Sequence, residues 1–183
     1  MKFLINLVPS KKLRKKLKER YGKKFDAYDN KYTRKIYSKA KECGKNLFVG
    51  RPSRINDNAY LGDNVNFNGM DIYGKGKVTI GDYFHSGLGC TMITDNHNYE
   101  GEKIPYDETY TSKDIEIGKC VWFGFNVTIL PGTKIGDGAI IQAGSVVHGE
   151  IPKYAIAGGN PAKVFSYRDK KHYDKLEKQG KFY

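Results

Sequence analysis

Residues 115–147 run Ile115-Glu116-Ile117-Gly118-Lys119-Cys120-Val121-Trp122-Phe123-Gly124-Phe125-Asn126-Val127-Thr128-Ile129-Leu130-Pro131-Gly132-Thr133-Lys134-Ile135-Gly136-Asp137-Gly138-Ala139-Ile140-Ile141-Gln142-Ala143-Gly144-Ser145-Val146-Val147. Every sixth residue from Ile117 gives Ile117, Phe123, Ile129, Ile135, Ile141 and Val147, an unbroken column of large apolar side chains. Two residues ahead of each stands Ile115, Val121, Val127, Thr133, Ala139 or Ser145, all small or β-branched. Gly118, Gly124 and Gly136 follow the first column, where a turn has to change direction without a side chain in the way.

A period of six is neither that of a helix, which recurs at three and four, nor that of a hairpin meander, which alternates at two. Three flat hexapeptide strands closing a triangular coil of about 18 residues do produce it, each column residue stacking on its counterpart one coil below. Upstream, Val49, Ile55, Leu61, Phe67 and Tyr73 keep the step, a one-residue slip follows, and Ile80, Ser86 and Met92 resume it. Coils are therefore expected from about 47 to 152. The pattern stops between Met92 and Ile115, in a polar stretch that is either a functional loop or a surface excursion.

This divides the chain into a basic helical arm (1–45), a β-helix domain (46–168) with a loop at 93–114, and a helical tail (169–183). In the arm, Ser10 is placed to cap a cationic helix over residues 10–20 that carries Leu13 and Leu17 on one side. Residues 169–179 read as a short polar helix.

The formal charge of +12 sits entirely in the arm. Residues 1–45 hold sixteen Lys and Arg against four acidic residues, whereas the remainder holds sixteen of each. The globular part is thus no basic platform for nucleic acid, and only the arm could meet a polyanion or an anionic membrane surface. Cys43, Cys90 and Cys120 are odd in number and far apart, which argues against a disulfide framework and a structural zinc site and fits a reducing cytoplasm. The apolar start, Met1 to Pro9, is too short for a signal-peptide core, and no stretch reaches the roughly 18 apolar residues of a spanning helix.

The repeats, the loop, and the stretches Val121-Trp122-Phe123-Gly124, Gln142-Ala143-Gly144-Ser145-Val146-Val147 and Ala157-Gly158-Gly159-Asn160-Pro161-Ala162-Lys163 together resemble the hexapeptide-repeat acetyltransferases. The loop pattern, Asn96-His97 with Gly101 and then Pro105-Tyr106, is similar to their xenobiotic acetyltransferase branch. The resemblance implies an all-β, single-stranded left-handed parallel β-helix, acetyl-CoA as co-substrate without metal, and a homotrimer with clefts between subunits. It gives His97 the role of general base, which suits imidazole because taking a hydroxyl proton needs a pKa near neutrality. Asn96, His85, Tyr106 and Trp122 become acceptor-side candidates. His85 is either a cleft wall or a packing residue, and Trp122 either lies beside the site, against pantetheine or acceptor, or packs between coils. Gly124 and Phe125 offer backbone amides for the developing oxyanion. Ala143, Gly144 and Ser145 match the stretch that lines the CoA groove, with Lys163 and Arg168 as cations for its phosphates. Gly149 stands where relatives often have Lys, which removes one expected cation.

His85, His97 and His148 lack the short two-histidine spacing of the zinc-binding β-helix enzymes, and His172 reads as exposed. Of the function classes, an O-acetyltransferase acting on a sugar of a bacterial surface polysaccharide comes first, because the cationic arm suits the inner membrane face where lipid-linked glycans are built. An antibiotic acetyltransferase of the chloramphenicol or streptogramin type comes next. A β-helix binding module without chemistry, and nucleic-acid binding through residues 11–24, come last.

Overall fold

The computed structural model describes residues 30–183. The helix expected over 10–20 and most of the basic arm lie outside the described residues. The first element among the described residues is a helix that the sequence does not single out, α1 (Lys31–Lys39). The Asn30 side chain caps it, accepting from the amides of Tyr32 and Thr33 at 2.9 and 3.0 Å while donating to the Val49 carbonyl at 2.9 Å. Thr33 Oγ1 accepts from the Val49 amide, and Ile36 is fully buried. Thus α1 closes the first coil, whose open end would otherwise present unpaired backbone.

Three parallel faces follow. The first stacks β1 (Glu42–Cys43), β3 (Ala59–Leu61), β5 (Val78–Ile80), β9 (Ile115–Ile117), β12 (Lys134–Ile135) and β15 (Glu150–Ile151). The second stacks β2 (Phe48–Arg51), the leading halves of β4 (Asn66–Tyr73) and β6 (His85–Ile93), β10 (Trp122–Phe123), β13 (Ile140–Ile141) and β16 (Ala155–Gly159). The third takes the trailing halves of β4 and β6, then β11 (Thr128–Ile129) and β14 (Val146–Val147). The first rung, Glu42–Cys43, thus falls inside the stretch assigned to the arm. Bonded positions on neighbouring coils lie 18 residues apart at Lys45 and Asp63, 19 at Asp63 and Asp82, 37 across the loop at Lys77 and Asp114, and 16 at Asp137 and Lys153.

All six residues of each C-terminal column are buried, from Ile115 and Ile117 to Ser145 and Val147. Each large one stabilises the fold by about 1.5–3 kcal/mol relative to exposure. Upstream, Val49, Ile55, Leu61 and Phe67 point inward as expected, but Tyr73 does not: it is 40% exposed and Ile72 takes the inward place. The chain turns between the second and third faces at Gly69, whose φ of +88° favours glycine, and the inward step from Phe67 is five residues long. Tyr73 instead lies beneath the Arg54 guanidinium and accepts a 2.7 Å hydrogen bond from it.

Gly118, Gly124 and Gly136 keep side chains out of the way as expected, and they do so by close approach, not by a left-handed backbone. None has positive φ; the left-handed residues come two positions later, at Cys120, Asn126 and Gly138. What these glycines provide is room for the next coil: a Cβ on Gly118 would stand 2.7 Å from the Asp137 amide nitrogen, and one on Gly124 2.5 Å from that of Ala143.

After the last coil, β16 turns antiparallel into β17 (Ala162–Tyr167), and α2 (Lys170–Lys178) follows, capped by Asp169, close to the expected span of 169–179. No helix among the described residues is long and apolar enough to cross a membrane.

Candidate active site

The loop leaves at the corner between the third and first faces as an antiparallel ribbon of β7 (Asp95–His97) and β8 (Tyr110–Ser112). Its base is tied down by one carboxylate. Asp95 accepts from Thr94 Oγ1 at 2.8 Å, Ser112 Oγ at 2.7 Å and the Lys75 amide at 2.8 Å, with a longer bond from the Gly76 amide. Burial works against its charge, but those four donors outweigh it and hold the carboxyl below its ordinary pKa. At the tip, Asp107 accepts from the amides of Glu102 and Thr109.

His97 stands opposite Tyr110 on this ribbon. Its imidazole stacks on Tyr106 at 3.9 Å and 17° and leans on Tyr110 at 4.5 Å. Two rings therefore fix the ring plane while the residue stays open to solvent. Asn96 pairs with Thr111 and, by strand alternation, projects from the other side of the ribbon. Of the acceptor-side candidates, Tyr106 is thus the one brought against His97.

His85 and Trp122 are in register on the outside of the second face. Trp122 is 52% exposed, which removes the alternative of a ring packed between coils. His85 is half-buried, with Nε2 3.3 Å from the Asn66 side-chain nitrogen. Burial lowers its pKa, and a hydrogen bond with the Tyr183 backbone opposes the shift. Asn66, His85 and Trp122 each precede an inward residue, Phe67, Ser86 and Phe123, so the six-residue step encodes their outward ladder, Asn66 included. The tail residues that reach this ladder carry no such signal.

The corner between the second and third faces is built of small residues. Gly124 lies against the Ala143 backbone and Gly158 against the Gln142 side chain there, and Ala143 and Gly144 are exposed. Two expected roles do not survive the geometry. The Gly124 amide donates to the Ile141 carbonyl at 2.8 Å and so has no hydrogen left for an oxyanion. Ser145 is fully buried, its hydroxyl donating to the Gln142 carbonyl at 2.7 Å and accepting from the Gly159 amide, which makes it a tie between coil and hairpin. The Phe125 amide has no acceptor among the described residues, and its ring is 61% exposed. Lys163, exposed and paired with Gly158, flanks this corner. Arg168 does not: it donates to the Gly138 carbonyl at 2.6 Å, at the opposite edge of the second face.

His97 and the small-residue corner accordingly lie on different edges of one prism. His148 follows β14 into the turn toward the first face and is exposed, and His172 is exposed on α2. Among the described residues no group of three His, Cys, Asp or Glu is arranged to hold a metal ion.

The family of bacterial transferase hexapeptide (six repeats) matches residues 114–149. The galactoside O-acetyltransferase of Escherichia coli K12 is 37% identical over 139 residues, covering 72% of this chain and 68% of that protein. A putative lipopolysaccharide biosynthesis O-acetyl transferase of the same organism is 36% identical over 121 residues, covering 64% and 59%. Among solved structures, a galactoside acetyltransferase in complex with coenzyme A superposes with a TM-score of 0.66 at 30% identity, covering 75% of this chain and 70% of that one. The three-faced coil is therefore the left-handed parallel β-helix of those enzymes, and the chain belongs to the hexapeptide-repeat acetyltransferases.

Proposed function

We propose that this acetyltransferase moves the acetyl group of acetyl-CoA to a sugar hydroxyl, with His97 as general base, in a site composed between the protomers of a homotrimer. The observation that carries the reading is the separation just described: the one imidazole clamped by aromatic rings, His97, projects from one edge of the prism, and the small-residue corner that fits a thin acyl-pantetheine arm forms another. Two copies bring the two together, and a closed ring of three repeats the contact without leaving an edge free.

In the ternary complex His97 takes the proton of the acceptor hydroxyl as its oxygen attacks the thioester carbonyl. The carbon–sulfur bond then breaks, and the proton passes from the imidazolium to the departing CoA thiolate. The Phe125 amide, not that of Gly124, is the donor offered to the oxyanion. Lys163 is the cation for the CoA phosphates at this corner. The relatives named for galactoside and lipopolysaccharide acetylation support a sugar acceptor, and the basic arm supports a cytoplasmic enzyme working at the inner membrane face on surface-polysaccharide precursors.

An acceptor screen with labelled acetyl-CoA, run with glycosides, nucleotide sugars, lipid-linked oligosaccharides, chloramphenicol and a streptogramin, tests the reading. Glycosides or glycan precursors are expected to carry label, and His97→Ala is expected to lose about 10²–10⁴ in turnover with its oligomer intact. Label on the antibiotics alone, or an unchanged rate in His97→Ala, overturns it.

A further inference from the structure

Helix α1 turns one side into the coil and the other away from it. Ile36 is fully buried in the core and Thr33 Oγ1 accepts from the first rung, so their side faces the coil. At about 3.6 residues per turn, the opposite side carries Lys31, Arg34, Lys35 and Ser38, and the exposed Tyr37 stands at its margin. Residues 30–45 hold six basic residues against Glu42 alone, and all seven are exposed. One of the six, Lys39, pairs with Asp57 at 3.3 Å. Neither Lys31 nor Lys35 has a carboxylate within ion-pair distance among the described residues.

This charge works against the helix that carries it. Lys31 and Lys35, and again Lys35 and Lys39, are like charges four residues apart on one helix. The first turn holds no acidic residue, so Lys31 and Arg34 face the positive end of the helix dipole. An anionic surface laid against that side relieves both repulsions at once. Two features favour lipid over nucleic acid as that surface. Tyr37 sets an aromatic ring beside the cations, as at a membrane–water boundary. The same arm also holds the apolar stretch Phe3-Leu4-Ile5-Asn6-Leu7-Val8, for which a nucleic acid offers no counterpart.

We infer that the outward side of α1 is the surface by which the protein lies on an anionic membrane, with the coil rising from it. This rests on the reading of an enzyme at a membrane face, and it names the part of the chain that makes the contact. In a closed ring of three, every α1 lies at the same end, so three cationic helices meet the lipid together. Rungs are about 4.8 Å apart, and the ribbon bearing His97 leaves after the third coil, roughly 10–15 Å from the end that α1 closes. That height suits a saccharide carried on a lipid and not the lipid itself.

The full chain, a Lys31→Gln, Lys35→Gln double variant and, within the arm, a Lys15→Gln, Lys18→Gln double variant are sedimented with vesicles. The vesicles are phosphatidylcholine alone or phosphatidylcholine mixed equally with phosphatidylglycerol. Binding is expected to the mixed vesicles only and is expected to fall as salt is raised. The Lys31, Lys35 variant is expected to bind them about 10- to 30-fold more weakly, roughly fivefold for each cation near such a surface. Its denaturation midpoint is expected to equal or exceed that of the wild type, because the like-charge contacts are gone. Its acetylation of soluble methyl β-galactoside should stay within about twofold, since α1 takes no part in acetyl transfer. Unchanged vesicle binding in this variant, with loss in the Lys15, Lys18 variant, assigns the contact to the rest of the arm and overturns the role of α1. A lowered midpoint shows that the two lysines serve folding and overturns the charge argument. A DNA duplex bound as tightly as the mixed vesicles at the same salt overturns lipid as the partner. A full chain that acetylates a glycoside but binds no vesicle overturns this inference and leaves acetyl transfer to sugars standing. One that binds vesicles but acetylates no sugar does the reverse.

Discussion

Trp122 stands in parallel register beside His85, although the whole loop separates them in the chain. The coil therefore closes across the insertion as if it were absent: Val78 pairs with Ile115 on the first face and Thr91 with Thr128 on the third. Replacing residues 95–112 with a short Gly-Asn turn is expected to preserve the far-ultraviolet circular dichroism of the coil. The same change should reduce acetyl transfer by at least the roughly 10²-fold expected for loss of a general base. Loss of the parallel sheet signal would show that the ribbon holds the coil together.

If the acetyl-transfer site is shared, two inactive chains should repair each other. His97→Ala removes the base, and Ala143→Arg fills the exposed corner on which the pantetheine arm is proposed to lie. Mixed oligomers of the two, made by co-expression, contain some interfaces where an intact His97 faces an intact corner. Activity above that of either parent is expected, approaching about one quarter of the wild type when the chains mix evenly in a closed ring of three, since each mixed ring holds one intact interface and some rings are unmixed. Mixtures no more active than their parents would place the whole site within one protomer.

Much of this molecule was legible because its fold is one-dimensional: each coil touches only its neighbours, so a local period reports the tertiary contact directly. Ile129 and Ile141 stand where the six-residue step puts them, both fully buried. Legibility failed where a corner changed length or a contact was not periodic. Tyr73 was misplaced because the step from Phe67 is five across Gly69. Phe84 stands two residues before Ser86, where the downstream column is small or β-branched, yet its large ring is fully buried and packs edge-on against Phe67 and Phe123.

The site divides in the same way. His97 and Trp122 announce themselves by residue type and position, and both are found outside the core. Gly124 and Ser145 matched a pattern whose hydrogen bonds the sequence does not display, and the structure commits both to the scaffold. The placement of Phe182 against Tyr83 depends on how α2 packs, which no spacing in the chain encodes.

The glycines of the turns separate two physical effects. On Gly118 a methyl would meet the Asp137 side chain at 2.5 Å and its backbone nitrogen at 2.7 Å, so the next coil has to move. On Gly144 a methyl meets nothing within 4 Å, and only its φ of +73° is unfavourable. Gly118→Ala is expected to cost about 2–3 kcal/mol, in the range of overpacking, and Gly144→Ala about 1 kcal/mol. Chemical denaturation of the two variants reads the order directly; a larger loss at Gly144 would refute the close-approach account.

Asp95 makes the position of His97 sensitive to acid. Its folded-state pKa lies below the ordinary carboxylate value because Ser112, Thr94, Lys75 and Gly76 all donate to the charged form. A depressed pKa contributes stability that is fully present above the unfolded value, here near 3.8, and that is lost as pH falls from there through the folded value. The ribbon base should therefore loosen below about pH 4 while the coil, held by apolar columns, persists. Amide exchange at Lys75 and Gly76 is the measure, with Asp95→Asn as the comparison. The variant is expected to exchange faster than wild type at pH 6, because an amide accepts more weakly than a carboxylate, and to lose the acid step below pH 4. An acid step that survives in Asp95→Asn would assign it to another group. Since the ribbon carries His97 two residues beyond Asp95, the same variant should lower kcat while leaving KM for acetyl-CoA within about twofold. A rise in that KM with kcat intact would mean that Asp95 acts on the donor side and not through the placement of the imidazole.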